Sequence, residues 1–575
     1  MLEWDLSALF HDKEALQNFT QDQIQQSLNF KKNYENKLYT LNTNEFLQAL
    51  KDYENLNQAL GKIMTYVYLL FAKNTQNGSF YAQYEEECKK IEENLLFFEL
   101  EFCELTPEKS QEFTTFCKDY DFYLSNLLQN KRYNLSKNEE RIMLYLSNTG
   151  ANAFSRLFDE SMSALKIPFE GKKLSEEEVL SKMYDEDRKI RKKAAKKFSK
   201  VLQKNSRLLS FIINMIKTER KNISLLRGYE NAEISRHISN QISQKSVDSL
   251  IASAQKHFNL VSQFYKRKKQ ILGYDELKDY DRYAPIGKEA SFDFKTSKNI
   301  VLEAFQAFSP QFYDIAKNAF DQGWIDVYPQ ENKQGGAFSH SATSDAHPFV
   351  LLNYTNKRRD LFTLAHELGH TIHQKLSYNV SYLNQNTPLT TAETASVFAE
   401  MLVFDFIKDK LKKEELLSLY ANKIEDIFAT FYRQINFTCF ERRLHAQENE
   451  LSTEEINKIW MEESQKMFQD SVKLTKNYAS WWSYIPHFIH SPFYCYAYAY
   501  AYAQLLVLAL YGLYKSKKCE NFKELYIKML SLGGSVSPKE LVGMFGFDIE
   551  DENFWEIGIK EIQKLINEFM ELQSC

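Results

Sequence analysis

Seventeen glycines and ten prolines are all that 575 positions contain, less than half the usual combined usage of about 12%. Tight turns and many short strands need those residues, so long helices are what such a chain is left to build. From about residue 12 to 150, apolar residues recur at three- and four-residue spacings between Glu, Lys, Gln and Asn, as in YEEECKKIEENLLFFELEF at 84–102. That is the period of helices with one buried face. Asn77-Gly78 and Thr106-Pro107 mark helix ends.

The fold class expected is therefore mostly α. With 44% apolar and 26% charged residues, the chain is globular rather than disordered, and its 43 Phe, 34 Tyr and 6 Trp supply a large aromatic core. Its length suggests two to four domains. Residues 182–200, KMYDEDRKIRKKAAKKFSK, place acids before bases in the order a helix dipole favours. The stretch reads as a solvated helix face rather than a basic docking patch, and the domain boundary is set there: an N-terminal helical lobe, 1–190, and a catalytic lobe, 191–575.

Lys and Arg number 72 against 77 Asp and Glu, a net charge of −5. No global positive field exists to attract a phosphate backbone, so nucleic acid is not an expected partner. Seven scattered cysteines without a C-x-x-C pair argue against a disulfide framework and a cysteine-rich zinc module alike. Acids near the start, Glu3 and Asp5, stand where a signal or transit peptide would carry Lys or Arg. The expected location is the cytoplasm.

Glycine and proline gather between about 272 and 356, which reads as the single β-containing region, and Pro348 to Tyr354 as a short strand. Residues 493–514, FYCYAYAYAYAQLLVLALYGLY, hold no charge for 22 positions. Their alternate tyrosines and Gln504 suit a bilayer poorly. A buried helix is expected there and no membrane partner, although the Tyr/Ala alternation also fits a strand.

Residues 360–373, DLFTLAHELGHTIH, carry H-E-x-x-H on a helical pattern. On a helix His366 and His370 stand one turn apart on one face, so both imidazoles can reach a single zinc, and Glu367 beside them suits the base that activates water. A metzincin would need Gly at 373 and His at 376, where this chain has His373 and Leu376. His373 lies about 10 Å along the axis from His366 at 1.5 Å rise per residue, too far to share the ion. The helices expected to carry the zinc site cover about 358–407. A second apolar helix opens at Thr391-Ala392-Glu393, and a carboxylate in its first turn costs desolvation unless it meets a cation. Glu393 is the expected third ligand. Glu400, two turns on, is either an alternative ligand or an outer-shell acceptor for a ligand imidazole.

The His366–His370 motif, the Glu393-Thr394-Ala395-Ser396 segment, Gly336-Ala337-Phe338-Ser339, Trp4-Asp5-Leu6 and the run from Pro486-His487-Phe488 to Tyr496 together resemble oligoendopeptidase F of the thimet-oligopeptidase-like zinc peptidases. The resemblance covers nearly the whole chain. It implies a two-lobed helical shell around a deep substrate channel, a small β-sheet next to the zinc helix, one Zn²⁺ per chain held by His366, His370 and Glu393, Glu367 as base, and cleavage of short unfolded oligopeptides. It also directs attention to His487 as an oxyanion donor, with His490 as its competitor, and to the tyrosines, Tyr496 first, then Tyr498 and Tyr494.

The strand preceding the zinc helix is expected to take an extended substrate by backbone bonds, which makes Phe349, Leu351 and Asn353 substrate-binding residues. Gly335 and Gly336 just upstream read either as a plain turn or as the pivot of a loop that closes over the peptide, which makes Gly336 a further substrate-binding candidate. Two alternatives stay open: an exopeptidase holding a free terminus with Arg442 or Arg443, and a peptide-binding protein without turnover, which would have no use for Glu367.

Overall fold

The computed structural model describes residues 2–147, 149–490 and 495–572. The protein is mostly α-helical. Helix starts follow from side chains that satisfy the otherwise unpaired first amides. Asn42 and Glu45 form a reciprocal capping box ahead of the helix Thr43–Lys73, which ends before Asn77-Gly78. Thr106 caps Pro107–Phe116, with proline at the first helical position.

By contact the chain divides into two compact units, each assembled from three stretches. The first takes Met1–Arg132, Ala290–Lys410 and Lys517–Gly546; the second takes Tyr133–Glu289, Leu411–Ser516 and Phe547–Cys575. This differs from the single cut expected at 190/191. The crossings carry no long Gly-, Pro- or Ser-rich run that would betray them in the sequence.

In the first unit, the N-terminal helices enclose an aromatic core in which Phe46 and Phe113 stack at 4.0 Å and Tyr53 and Phe98 at 4.6 Å. Phe349 and Leu351 are buried in the same cluster, so this core anchors a three-stranded sheet. Its strands are β1 (Ile325–Asp326), β2 (Phe338–His340) and β3 (Phe349–Leu351). The order is β1-β3-β2, with β1 parallel to β3 and β2 antiparallel to it, Ser339 opposite Val350. Much of the region expected to be β is helical, at Phe294–Phe308 and Pro310–Asp321. After the sheet come α1 (Arg358–Ser377), a single turn at Leu389–Ala392, and α2 (Thr394–Lys408).

The second unit contains α3 (Tyr432–His445), α4 (Ala497–Ser516) and α5 (Glu552–Glu571). From Ala497 onward the uncharged stretch is thus a helix, as expected, not a strand. It is long and apolar enough to cross a membrane, and 89% of its most apolar window is buried. It packs along α5, with Tyr502 edge-on to Trp555 at 4.9 Å.

Two further expectations are corrected in this unit. Ile167–Phe169 and Lys172–Leu174 form a second β element, an antiparallel hairpin whose two-residue turn, Glu170-Gly171, has φ of 50° and 80°. The basic stretch forms the helix Arg188–Lys204, and it is not wholly solvated. Arg191 is completely buried, and it and Arg188 both pair with buried Asp281 at 3.3 and 2.7 Å.

Candidate active site

α1 is started by Asp360, whose carboxylate accepts from the amides of Thr355 and Lys357 at 2.6 and 3.1 Å. Leu361, Leu364, Ala365, Leu368 and Ile372 are fully buried on its inner face. Burying that stripe fixes the rotation of the helix and turns His366, Glu367 and His370 to a cavity of about 420 Å³, within the usual size range of ligand sites. Phe338 and Ser339 of β2 and the Glu393 carboxylate also line it.

Glu393 lies in the break between the single turn and α2, one residue earlier than the first-turn place expected of it. Ser396, in the first turn of α2, donates to its Oε2 at 2.6 Å. The same oxygen stands 3.3 Å from His366 Nε2 and 3.4 Å from His370 Nε2. On the far side of the His366 ring, Nδ1 meets Glu400 Oε1 at 2.7 Å.

Two ring nitrogens and one carboxylate oxygen within 4.8 Å of one another could hold a metal ion, and the chemistry of this donor set fits a divalent cation of the zinc type. The electrostatics agree. Burial alone would lower the His366 pKa, but the Glu400 hydrogen bond and the Glu393 charge overcome it and raise it to about 9. Burial would raise Glu393, yet the charges of His370 and His366 hold it far below the usual carboxylate range. The pocket is preorganised for positive charge. Glu367, only 6% exposed, is pushed upward by burial. His373, one turn beyond Gly369, also lines the cavity, but it is buried, hydrogen-bonded to the Ala392 backbone and pushed down to about 4 by desolvation, and it is not among the three converging donors.

The substrate strand expected at 349–354 is corrected. Phe349 and Leu351 have no exposure, and β3 is paired on both edges. The amides of Val350 and Leu352 go to Trp324 and Asp326, so those of Phe349 and Leu351 face β2. The open edge is that of β2, where the backbone of Ser339 points outward. Gln374, one turn beyond His370, donates to the Ser339 carbonyl at 2.9 Å and accepts from its hydroxyl at 2.8 Å. This clasp was missed, although Gln374 shares a helix face with His370. Asn353 binds the carbonyls of Gln334 and Gly336, each at 2.9 Å, and so fixes the loop before β2.

His487, Tyr496 and Tyr498 belong to the second unit. His487 and Tyr496 both pack edge-on against Tyr500, at 5.8 and 4.8 Å. Tyr500 was not singled out, and its signal is its position one turn beyond Tyr496. Tyr498 is fully buried, its hydroxyl held by His237 Nδ1 at 2.9 Å and Asn240 at 3.0 Å. Tyr494 lies outside the described residues. His490 is engaged by Asp159 at 2.8 Å. Arg442 is committed to Glu233 and Asp248, and Arg443 to Glu462 and Glu463.

Residues 181–561, well over half of the chain, match the profile of peptidase family M3, and residues 101–167 match that of oligopeptidase F. The chain belongs to peptidase family M3. It is a metalloendopeptidase, of the oligoendopeptidase F branch. An oligoendopeptidase F homolog of Borreliella burgdorferi is 28% identical, with 98% of each chain covered. Oligopeptidase PepF of Bacillus subtilis is 25% identical over 99% of this chain and 87% of its own. Among solved structures, the oligoendopeptidase F of Enterococcus faecium superposes with a TM-score of 0.72 at 20% identity, covering 96% of this chain and 97% of that one. It shares the helical fold.

Proposed function

We propose that this M3 peptidase is a zinc-dependent endopeptidase hydrolysing internal bonds of short, unstructured oligopeptides in the cytoplasm, with one catalytic Zn²⁺ held by His366, His370 and Glu393. The observation that carries the reading is the convergence of those three donors beside Glu367 in one cavity. When bound, zinc supplies Lewis-acid chemistry, making water more acidic and the scissile carbonyl more electrophilic.

The chain's own groups do the rest. Glu367 Oε accepts a proton from the attacking water and passes it to the departing amine nitrogen. Its upward-shifted pKa suits a group that must take and then release that proton. Glu400 holds the His366 ring with Nε2 toward the site. Glu400→Gln should weaken metal affinity about 10- to 100-fold, read by competition with a chelating dye; unchanged affinity would remove it from the site's support.

An extended peptide would add to the open edge of β2 when Gln374 releases Ser339, its backbone bonds ignoring side-chain identity. Broad sequence tolerance follows. Both arginines considered for gripping a free terminus are already paired, which favours internal cleavage. The experiment is mass spectrometry of the products from one peptide with blocked ends and one with free ends, with and without a chelator. Equal internal cleavage of both, abolished by chelation, is expected; trimming confined to the free peptide would overturn the endopeptidase reading.

His487 and Tyr496 are proposed as oxyanion donors on the family resemblance, with Tyr498 set aside because its hydroxyl is enclosed. Tyr496→Phe should lower kcat about 10²-fold with little change in KM. Tyr498→Phe should instead reduce stability by about 1–3 kcal/mol, since Asn240 and His237 lose their partner. Exchange of these two outcomes in a kinetic and melting comparison would reverse the assignment.

A further inference from the structure

A second cluster of metal-ligating side chains lies wholly in the second unit and shares no residue with the proposed catalytic set, although Cys495 directly precedes Tyr496. Glu441 and His445 stand one turn apart on α3, and the chain brings Cys495 over them. A carboxylate oxygen, a ring nitrogen and the Cys495 Sγ all fall within 4.8 Å of one another. The Cys495 amide donates to Glu441 Oε1 at 3.1 Å, which fixes the thiol beside the carboxylate. Glu441 is only 2% exposed, and its other oxygen, Oε2, is buried with no hydrogen-bond partner among the described residues. Beside Glu441 and His445 is a small cavity of about 10 Å³, room for one water-sized occupant.

We propose that Glu441, His445 and Cys495 form a second metal site, for a thiophilic divalent ion of the zinc class. A carboxylate with an unused oxygen in an enclosed space is a group waiting for a cation or a proton. The donor set selects the kind of cation. Carboxylate, imidazole and thiolate together suit zinc or cobalt, and not magnesium or calcium, which take oxygen. Charge closes as well, because one thiolate and one carboxylate neutralise a divalent ion in a low-dielectric interior. On binding, the thiol proton and any proton on the carboxyl leave to solvent.

The surroundings sharpen that choice. Burial disfavours the charged forms of both Glu441 and His445, and the unprotonated imidazole is the form that ligates a metal. Lys217 commits its ammonium to the carbonyls of Gln447 and Asn449, at 2.7 and 2.5 Å. The neighbouring charges are mixed, Glu233 and Arg236 near Glu441 and Lys217, Glu233 and Arg220 near His445, and give no net field that would hold a hard cation by charge alone. A zinc-class ion, whose bond to sulfur has covalent character, does not depend on such a field.

The test is a Co²⁺ titration of the full chain after chelator stripping, because cobalt bound to thiolate gives a near-ultraviolet charge-transfer band. A site of imidazoles and carboxylate gives none. The band should develop in the wild type, persist in His370→Ala, and vanish in Cys495→Ser, which should also bind one ion fewer by elemental analysis. Persistence in His370→Ala separates this site from the catalytic reading. His445→Ala is the second variant, chosen in case Cys495→Ser does not fold, and should move the band's midpoint at least about tenfold to higher Co²⁺. No band in the wild type at saturating Co²⁺, a band that survives Cys495→Ser, or a midpoint unmoved in His445→Ala would overturn the proposal.

Discussion

Glu367→Gln should abolish most peptide hydrolysis, lowering kcat by about 10²- to 10⁴-fold, while the protein keeps its metal. The substitution preserves volume and leaves an amide that can still hydrogen-bond, but an amide does not accept a proton from water at neutral pH. Glu367 is 6% exposed and lines the cavity, while the His366, His370 and Glu393 donors converge on one another without it. Charge, shape and metal retention are thereby separated. A fluorogenic peptide assay and elemental analysis on one preparation make the measurement. Turnover at the wild-type rate with metal bound would remove Glu367 from the base's role, and loss of metal would recast it as a ligand.

The helical part of this architecture was readable because it rests on a local period. His366 and His370 fall together wherever that period is obeyed, and the buried stripe from Leu361 to Ile372 dictates which way they face. The tyrosine run shows the same rule resolving an ambiguity. Alternate tyrosines suggest a strand as readily as a helix, but along α4 and the residue before it they separate into two stripes. Tyr498 and Tyr502, one turn apart, are fully buried, while Tyr496 and Tyr500 remain partly exposed.

What failed was non-local. A short apolar run such as FVLL looks alike at the edge of a sheet and at its centre. Only partners drawn from Ile325–Asp326 and Phe338–His340 made β3 central and shifted the open edge to β2. The hairpin at 167–174 was missed because its turn has a single glycine, with Glu170 taking the other positive-φ position. The division into two units was hidden for a related reason: each unit is closed by stretches far apart in sequence, and composition does not change where the chain crosses.

The glycine inside the motif offers the second large effect, and one whose sign is decisive. Alanine in place of glycine within a helix ordinarily stabilises by about 1 kcal/mol. At Gly369 the opposite is expected. A Cβ there would stand 2.5 Å from the Ser396 Cα and 2.6 Å from the Ala395 carbonyl oxygen. Those are backbone atoms and cannot swing aside as a flexible side chain would, so α1 and α2 must separate. Overpacking of this kind costs about 1–3 kcal/mol, enough to outweigh the gain in propensity. The displaced backbone is also the one that carries the proposed ligand, because Ser396 holds the Glu393 carboxylate and both lie at the start of α2. Ligand distances tolerate only about 0.2 Å. Gly369→Ala should therefore lower the melting temperature and weaken metal binding more than about tenfold, in calorimetry with and without chelator. A variant as stable as the wild type, with its metal affinity intact, would show that the close approach of the two helices is not what positions Glu393.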